Sequence, residues 1–477
     1  MVSGADPPNI LWLSLESVRA DHTSLCGYER DTTPRIRDIA ESAGGTALRS
    51  GFSQSMWTPA VTASMLTGTY LSTHNVGTDG MAKEPLPSTI QTIPELLGDR
   101  YDTALFASNP YVCGTTGVER GFDHTERVSI DWRNYLPTAP AAADYWRASL
   151  GHLRDVGVAH PRRVRDELKV GTDTILQRRV ARWIESTDRS TPFFAYAHIQ
   201  SPHHPYYPPE EFLHAFGDDV DMAIEDAYKL VQQVYRGSDE LKRRMANGLE
   251  FTEREMDGIR ALYDALIRYL DSVVGRIVER AERASDRDLV TVIVGDHGEL
   301  FGEAGILGHN LVLRDGLIRV PMVVRGVEGV EAGPENLTQQ IDLSYTIADL
   351  AGADTSQFEG RDIREGGRDY AISQRGIAHI DAYKEHNPAF DASRYFPDPV
   401  TSFRTTDYKL LMSESRSELY ALPDEERDVK ADQPEVHDEL ADRLEAVGVE
   451  WTWTGSRGDR EFDEDVSKQL ADLGYLT

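Results

Sequence analysis

With 477 residues, 40% of them hydrophobic, the chain is long enough to bury a large core, and its length suits one large domain with a smaller one beside it. The 80 Asp and Glu outweigh the 50 Lys and Arg for a net charge of −30, which repels nucleic acid and anionic membrane and argues against both as partners. A carboxylate excess of this size, with Arg used far more than Lys, suits strong salt, where the repulsion is screened; the expectation is a halophilic host.

The N-terminal MVSGADPPNILWLSLES has no basic leader before its apolar segment, and no apolar run in the chain approaches the roughly 18 residues that span a bilayer. Cys26 and Cys113 are too few for a disulfide framework and read as reduced thiols, so a soluble cytoplasmic protein is expected. Asn9 to Leu15 reads as the first strand, with Glu16 where it ends. A helix follows from Thr33-Pro34 to Ala43, with Pro34 in its first turn. After a Trp-Thr-Pro turn, Ala60 to Leu66 forms a small-residue helix stopped by Gly68. Thr92 to Leu97 reads as a short helix and Tyr101 to Ser108 as a strand. From Arg127 to about Asp188 the chain is polar, Arg-rich and helical, and it leads into the strand Pro192 to Ile199. The loop QSPHHPYYPP, Gln200 to Pro209, is held extended by its prolines. A charged helical insertion (Val220 to Asn247) precedes the long amphipathic helix Phe251 to Arg283. A strand at Ile318 to Val324 and a helix at Leu343 to Ala351 continue the alternation.

Strand–helix alternation predicts an α/β fold: a mostly parallel central sheet with helices on both faces. After about Gly366 the character changes to short strands (Ser402–Phe403, Tyr408–Met412, Glu418–Leu422) and the acidic helix Val436 to Glu445. Residues 366–477 therefore read as a smaller C-terminal α+β subdomain with an acidic tail, behind a catalytic domain at 1–365. The insertions at about 126–190 and 210–250 are expected to supply pocket walls.

The most informative stretch is TVIVGDHGELFGE, Thr291 to Glu303. Its β-branched run reads as a buried parallel strand, Gly295 ends it, and Asp296-His297 stand at the carboxyl end, where open α/β sheets bind ligands. Gly298 lets the backbone turn away. A carboxylate and an imidazole there are ready ligands for a divalent metal; the alternative is a helix-capping Asp beside a packing His. Glu16, Thr58, His203/His204 and His309 are candidate partners, a donor set apt for a hard or borderline divalent ion, which lowers the pKa of a bound alcohol and stabilises charge on an ester's oxygens.

The order and spacing of PNILWLSLESVRADH, WTPAVTASMLTGTYLSTHNVG, PHHPYYPP, VGDHGE, GHN, IRVPMVV and the late YKLL…ELYAL resemble the sulfatase-type branch of the alkaline phosphatase superfamily nearly end to end. The resemblance implies one divalent cation (Mn, Mg, Ca or Zn) held by Glu16, Thr58, Asp296 and His297. It implies that Thr58 is the nucleophile, and that His74, His203 and His309 line an anion pocket, binding ester oxygens or protonating the leaving group. Arg19, in an Arg-x-Asp-His element, faces the same pocket or forms a surface ion pair. His203 and His204 stay unseparated, although the His-x-Pro-Tyr spacing favours His203. Local alternatives are a Glu16–Arg19 salt bridge, a helix N-cap at Thr58, a turn histidine at His309 and a core histidine at His74. His152, His160 and His214 have only a structural reading.

Sulfatases proper carry Cys or Ser, converted to formylglycine, in a Cys-x-Pro-x-Arg signature. Here the three slots hold Thr58, Ala60 and Thr62, and Thr cannot become formylglycine, so none is expected. The usual pair of N-terminal acids is reduced to Glu16-Ser17. A Glu, Thr, Asp, His set resembles instead the branch that acts on phosphoesters through a Thr nucleophile. The expectation is a metal-dependent hydrolase of sulfate or phosphate esters, small-molecule or carbohydrate, working through a covalent Thr58 ester. The alternatives are a phospho- or sulfo-group transferase and a non-catalytic metal-binding descendant. Oligomeric state is left open.

Overall fold

The computed structural model describes residues 6–128, 161–188, 190–333, 335–451, and 461–470 apart from 465, 468 and 469, with the side chains of 161–170 outside the description. Seven strands form the main sheet: β1 (Asn9–Leu15), β2 (Gly45–Ala47), β3 (Asp102–Ala107), β4 (His124–Arg127), β5 (Phe193–Ile199), β6 (Leu289–Gly295) and β7 (Met322–Arg325). Their order is β2-β7-β6-β1-β5-β3-β4. β6, β1, β5, β3 and β4 run parallel, while β7 runs antiparallel to β6 and to β2.

β1 is buried along its whole length, and its side chains divide by the two-residue period of a strand. Leu11, Leu13 and Leu15 enter one apolar core with Ile36, Leu176, Leu262 and Leu266. Ile10 and Trp12 enter a second with Val61, Met65, Leu343 and Ile347. The first core is covered by α1 (Pro34–Glu41), α3 (Pro161–Ser186) and α6 (Glu253–Ala284), the second by α2 (Thr58–Thr67) and α7 (Gln340–Leu350). A run buried on both faces is what a central parallel strand requires. Two further helices, α4 (Ile224–Val234) and α5 (Ser238–Ala246), form the insertion ahead of α6. No helix among the described residues is long and apolar enough to cross a membrane.

Several elements differ from the sequence reading. Ile318 to Val324 is not one strand: Pro321, with no N–H to give a ladder, separates Arg319–Val320, which pairs with Gly51–Phe52, from β7 in the main sheet. Of the stretch expected to be helical from Arg127 to about Asp188, Arg127 closes the edge strand β4 and Pro161–Ser186 is helical as expected; residues 129–160, with His152 and His160, lie outside the described residues. Gly298 matters for close packing, since a Cβ there would sit 2.0 Å from the Gly316 carbonyl oxygen.

Beyond the main sheet, β8 (Ala371–Arg375), β9 (Val400–Arg404), β10 (Tyr408–Met412) and β11 (Ser417–Ala421) form an antiparallel four-stranded sheet in sequential order. It packs with α8 (Pro434–Val447) through Ile372, Phe403, Leu410, Leu419, Leu440 and Leu444. β8 was not legible in the sequence. Most of the tail expected after α8 lies outside the described residues.

A buried charge cluster clamps this sheet to the main body. Lys409, on β10, sends its ammonium to Asp315 Oδ1 at 2.5 Å, to Glu425 and to the Leu313 carbonyl at 3.2 Å. Arg404 adds a bond from Nη2 to Asp315 Oδ2 at 3.0 Å. Burial opposes ionisation of Asp315, but Lys409 and Arg404 outweigh it and hold the carboxyl well below its usual range. The stabilisation is complete above the ordinary carboxylate pKa and is lost as pH falls through the depressed one. Asp315→Ala leaves Lys409 with Glu425 as its one carboxylate and should lower the unfolding free energy by about 3 kcal/mol at neutral pH. Chemical denaturation checks this, and the difference from wild type should shrink as the buffer is acidified.

Candidate active site at the carboxyl ends of the central strands

The sheet places its chemistry where β1 lies between β5 and β6, a topological switch point. Glu16 follows β1, its amide donating to the Ile199 carbonyl at 3.0 Å, and Asp296 follows β6, its amide donating to the Leu15 carbonyl at 2.9 Å. Ser17 sits in the left-handed region at φ 60, where its amide donates to Asp296 Oδ1 at 2.8 Å and its carbonyl accepts from the Tyr263 hydroxyl at 2.6 Å. Those two bonds hold a non-glycine residue in a costly conformation directly beside the acid. Gln340, at the start of α7, donates to the carbonyls of Gly295 and Asp296 at 2.6 and 2.7 Å and fixes the end of β6.

Thr58 is the first residue of α2, and the N-cap position belongs to Trp57. All ten residues of α2 are buried, so the helix start is carried into the interior rather than laid on the surface. Thr58 Oγ1 stands 3.1 Å from Glu16 Oε1 and 3.2 Å from His297 Nε2, and the three side chains are 0% exposed. His297 Nε2 is in turn 3.5 Å from Asp296 Oδ2.

Glu16 is wrapped by donors. Asn109 Nδ2 donates to Oε1 at 3.0 Å, His198 Nε2 lies 3.1 Å from Oε2, and His203 Nε2 lies 3.8 Å from Oε1. Burial raises its pKa, but His203 and the hydrogen bond from His198 outweigh burial and keep Glu16 ionised far below the usual range. The same contact raises the pKa of His198 against its own burial. Burial dominates elsewhere: it pushes Asp296 up, His203 down, His297 and His309 each down to about 4, and Glu299 up to about 8.

The expected residues therefore divide into groups. Glu16, Thr58, Asp296, His297 and His203 are brought together. His309 is one step away, its ring centroid 4.5 Å from that of His297 and 5.1 Å from that of His203, with Nδ1 3.2 Å from Glu299 Oε1. His203 and His204 stack edge to face at 4.3 Å but point differently: His203 faces Glu16, while His204 packs 5.3 Å from the Tyr235 ring and 5.5 Å from that of His309. His74 is placed elsewhere, bonded through Nε2 to Ser64 Oγ at 2.9 Å and through Nδ1 to the Val76 amide at 3.1 Å. Arg19 turns to Asp21, Glu303 and the Glu299 carbonyl at 2.8, 2.6 and 3.0 Å, and no Glu16–Arg19 pair forms. His214 pairs at the surface with Glu225 at 3.8 Å.

Sequence reasoning passed over His198, Asn109 and Glu299. His198 had a signal, a polar residue in the otherwise apolar PFFAYAHI, and its register partner is Ser14. Asn109 stands two residues past β3, at the same edge of the sheet. Asp173, on α3, accepts from the Gln200 and Ser201 amides, both at 3.1 Å, and so sets the loop that carries His203.

Among the described residues no three His, Cys, Asp or Glu are gathered at metal-ligand spacing. The donor chemistry nonetheless fits a cation. His297 Nδ1 is 2.8 Å from the Gly298 carbonyl, which only accepts, so the proton is assigned to Nδ1 and Nε2 carries a lone pair. Thr58 has one proton for two acceptors, Glu16 Oε1 and His297 Nε2. Asp296 Oδ2, fully buried, has no hydrogen-bond partner among the described residues. Lone pairs facing one another in a dry interior call for a positive charge between them. Donors about 2.1 Å from a divalent ion stand roughly 3 Å apart, near the separations seen here. An excess of Mn, Mg, Ca or Zn, at about 100 Kd, should therefore add about 2.7 kcal/mol to folding stability. Thermal melts of wild type and Asp296→Asn check it: a shift confined to wild type is expected, and no shift with any of the four ions counts against a metal here.

The Sulfatase family model matches residues 8–353. The chain is 24% identical over 319 residues to the uncharacterized sulfatase YidJ of Escherichia coli (strain K12), an overlap that covers 66% of this chain and 59% of that one. It is 26% identical over 218 residues to the choline-sulfatase of Rhizobium meliloti (strain 1021), covering 44% of this chain and 41% of that one. The chain thus spans less than two thirds of the length of these relatives. The phosphonate monoester hydrolase of Agrobacterium radiobacter has the same fold, with a TM-score of 0.68 at 21% identity over 92% of this chain and 95% of that one. By the extent of the family match, this chain belongs to the sulfatase family, within the alkaline phosphatase superfamily.

Proposed function

We propose that this sulfatase-family chain hydrolyses sulfate or phosphate esters, with Thr58 as nucleophile. The observation that carries the reading is the Thr58 hydroxyl, fully buried at the start of α2 and within 3.2 Å of both Glu16 Oε1 and His297 Nε2. A buried alcohol facing an anionic carboxylate and an imidazole lone pair has its oxygen oriented and its proton engaged, the arrangement nucleophilic catalysis needs. A divalent cation held by Glu16, Asp296 and His297, with Thr58, would lower the pKa of the hydroxyl and neutralise the oxygens of the ester.

In the reaction, Thr58 Oγ gives its proton to Glu16 or His297 Nε2, forms a bond to sulfur or phosphorus, and the bond from that atom to the ester oxygen breaks. His203 or His309 gives a proton to the departing oxygen, with Nδ1 of His309 held by Glu299 so that its other ring nitrogen serves the ester. Water then cleaves the Thr58 ester, restoring the hydroxyl and releasing the inorganic anion. Asn109 and His198 hold Glu16 in position throughout. The start of α2 contributes its dipole to an anion at Thr58.

Hydrolysis of 4-nitrophenyl sulfate, 4-nitrophenyl phosphate and bis(4-nitrophenyl) phosphate, with each divalent ion in turn, tests the proposal. Thr58→Ala should lower kcat/KM by roughly 10³-fold or more. Turnover that survives the substitution would rule Thr58 out as nucleophile. The ester preferred by wild type decides between sulfur and phosphorus. The acidic composition is read as adaptation to strong salt, so the unfolding midpoint should rise steeply with KCl; a midpoint indifferent to salt removes that reading.

A further inference from the structure

We propose that the cavity beside the active site is a subsite for a second negative charge, carried by the leaving group and read by Lys242 together with Arg375. The preferred substrates are then esters whose alcohol bears a carboxylate, sulfate or phosphate of its own. The inference rests on the hydrolase reading above and adds its substrate class.

The cavity encloses about 480 Å³, and Trp57, His204 and His309 bring it to the catalytic cluster. That volume suits a leaving group of small-molecule size. In a chain with 80 Asp and Glu and a net charge of −30, no carboxylate is among the described residues of its wall, whereas Lys242, Arg375 and His379 are. An acid-free, cation-bearing cavity in so acidic a protein focuses positive potential where the rest of the surface is negative.

The two permanent cations of the wall are held differently. Arg375 is 2% exposed, and its guanidinium bonds only to backbone carbonyls: Gly376 at 2.8 Å, Phe396 at 2.7 Å and Asp398 at 3.1 Å. Its Nε has no hydrogen-bond partner among the described residues, and the Asp398 carboxylate acts on it only from a distance. Burial pushes it down to about 9, the sign of a buried cation without a counter-ion. Lys242, half-buried on α5, is the middle case in a telling comparison. Its neighbours Arg243 and Arg244 both pair with Glu240, at 2.7 and 2.8 Å, and Asp239 pairs with His386 at 3.2 Å. Lys242 has no such pair among the described residues, Asp239 and Glu385 acting on it only from a distance, and it lines the cavity. The wall also carries apolar side chains, Met56, Met81, Leu241 and Met245 among them, beside polar ones such as Asn310 and Ser467, and the apolar part lowers the local dielectric around an incoming anion.

Calorimetric titration of the full chain with 4-hydroxybenzoate, a leaving-group mimic, and with 4-hydroxybenzyl alcohol, its neutral counterpart, tests the subsite at the lowest salt that keeps the protein folded. The carboxylate should bind wild type roughly tenfold to hundredfold tighter. That ratio should fall towards one in Lys242→Gln and return in Lys242→Arg, with unfolding midpoints confirming that both variants fold. Equal affinities in wild type, no binding of either compound, or a preference that survives Lys242→Gln would each overturn the proposal. The titration requires no turnover: absent hydrolysis with an intact carboxylate preference would strike the hydrolase reading, and hydrolysis without the preference would strike this one.

Discussion

The whole arrangement depends on keeping charged and lone-pair-bearing groups in a dry interior. Glu16, Asp296 and His297 are fully buried. A carboxylate in that setting is costly unless hydrogen bonds and opposite charge surround it. Glu16 meets the cost with Asn109, His198 and Thr58. Asp296 meets half of it, through the amides of Ser17 and His297 on Oδ1, and leaves Oδ2 without a hydrogen bond. That asymmetry is the physical reason to place a cation at Thr58 rather than read the cluster as a structural polar network.

The rigidity of the site follows from how its parts are held. Glu16 and Asp296 stand just past their strands, their backbone amides continuing the sheet's hydrogen bonding by one residue. Ser17 is fixed in the left-handed region by Asp296 on one side and Tyr263 on the other. α2 is sunk between the sheet and α7, and Gly68, at φ 70, closes it before the chain turns to His74. His74 serves that framework: with Ser64 and Val76 as partners it pins the following turn to α2. Site geometry of this kind tolerates little displacement, because each functional atom is tied to a backbone element rather than to a mobile side chain.

The outer wall is built differently. It draws on the insertion α5 and on the segment just after β8, elements that belong to separate layers of the chain. The clamp of Lys409, Arg404, Asp315 and Glu425 keeps the second sheet against the body that carries Thr58, the proposed nucleophile. Chemistry and recognition are therefore borne by different parts: the strand ends hold the reacting groups, and the insertion with the second sheet shapes what surrounds the leaving group.

By itself the sequence determined the α/β class, most strands and helices, and the grouping of Glu16, Thr58, Asp296 and His297 with His203 or His204 as one candidate site. Strongly apolar runs such as NILWLSL and TVIVG leave strands little choice, and a polar residue just past such a run marks a strand end. Tertiary structure alone decided what completes the site. His198 and Asn109 reach Glu16 because β5 and β3 lie on one side of β1, an order set by crossovers that no local pattern encodes. His74, near Thr58 in sequence, is turned away, and Arg19 is captured by Asp21 and Glu303. Pro321 splits a run that reads as one strand, since the two halves find different partner strands. Local preference writes the elements; the pairing of distant strands, whose hydrogen bonds and buried area outweigh local preference, decides which side chains meet.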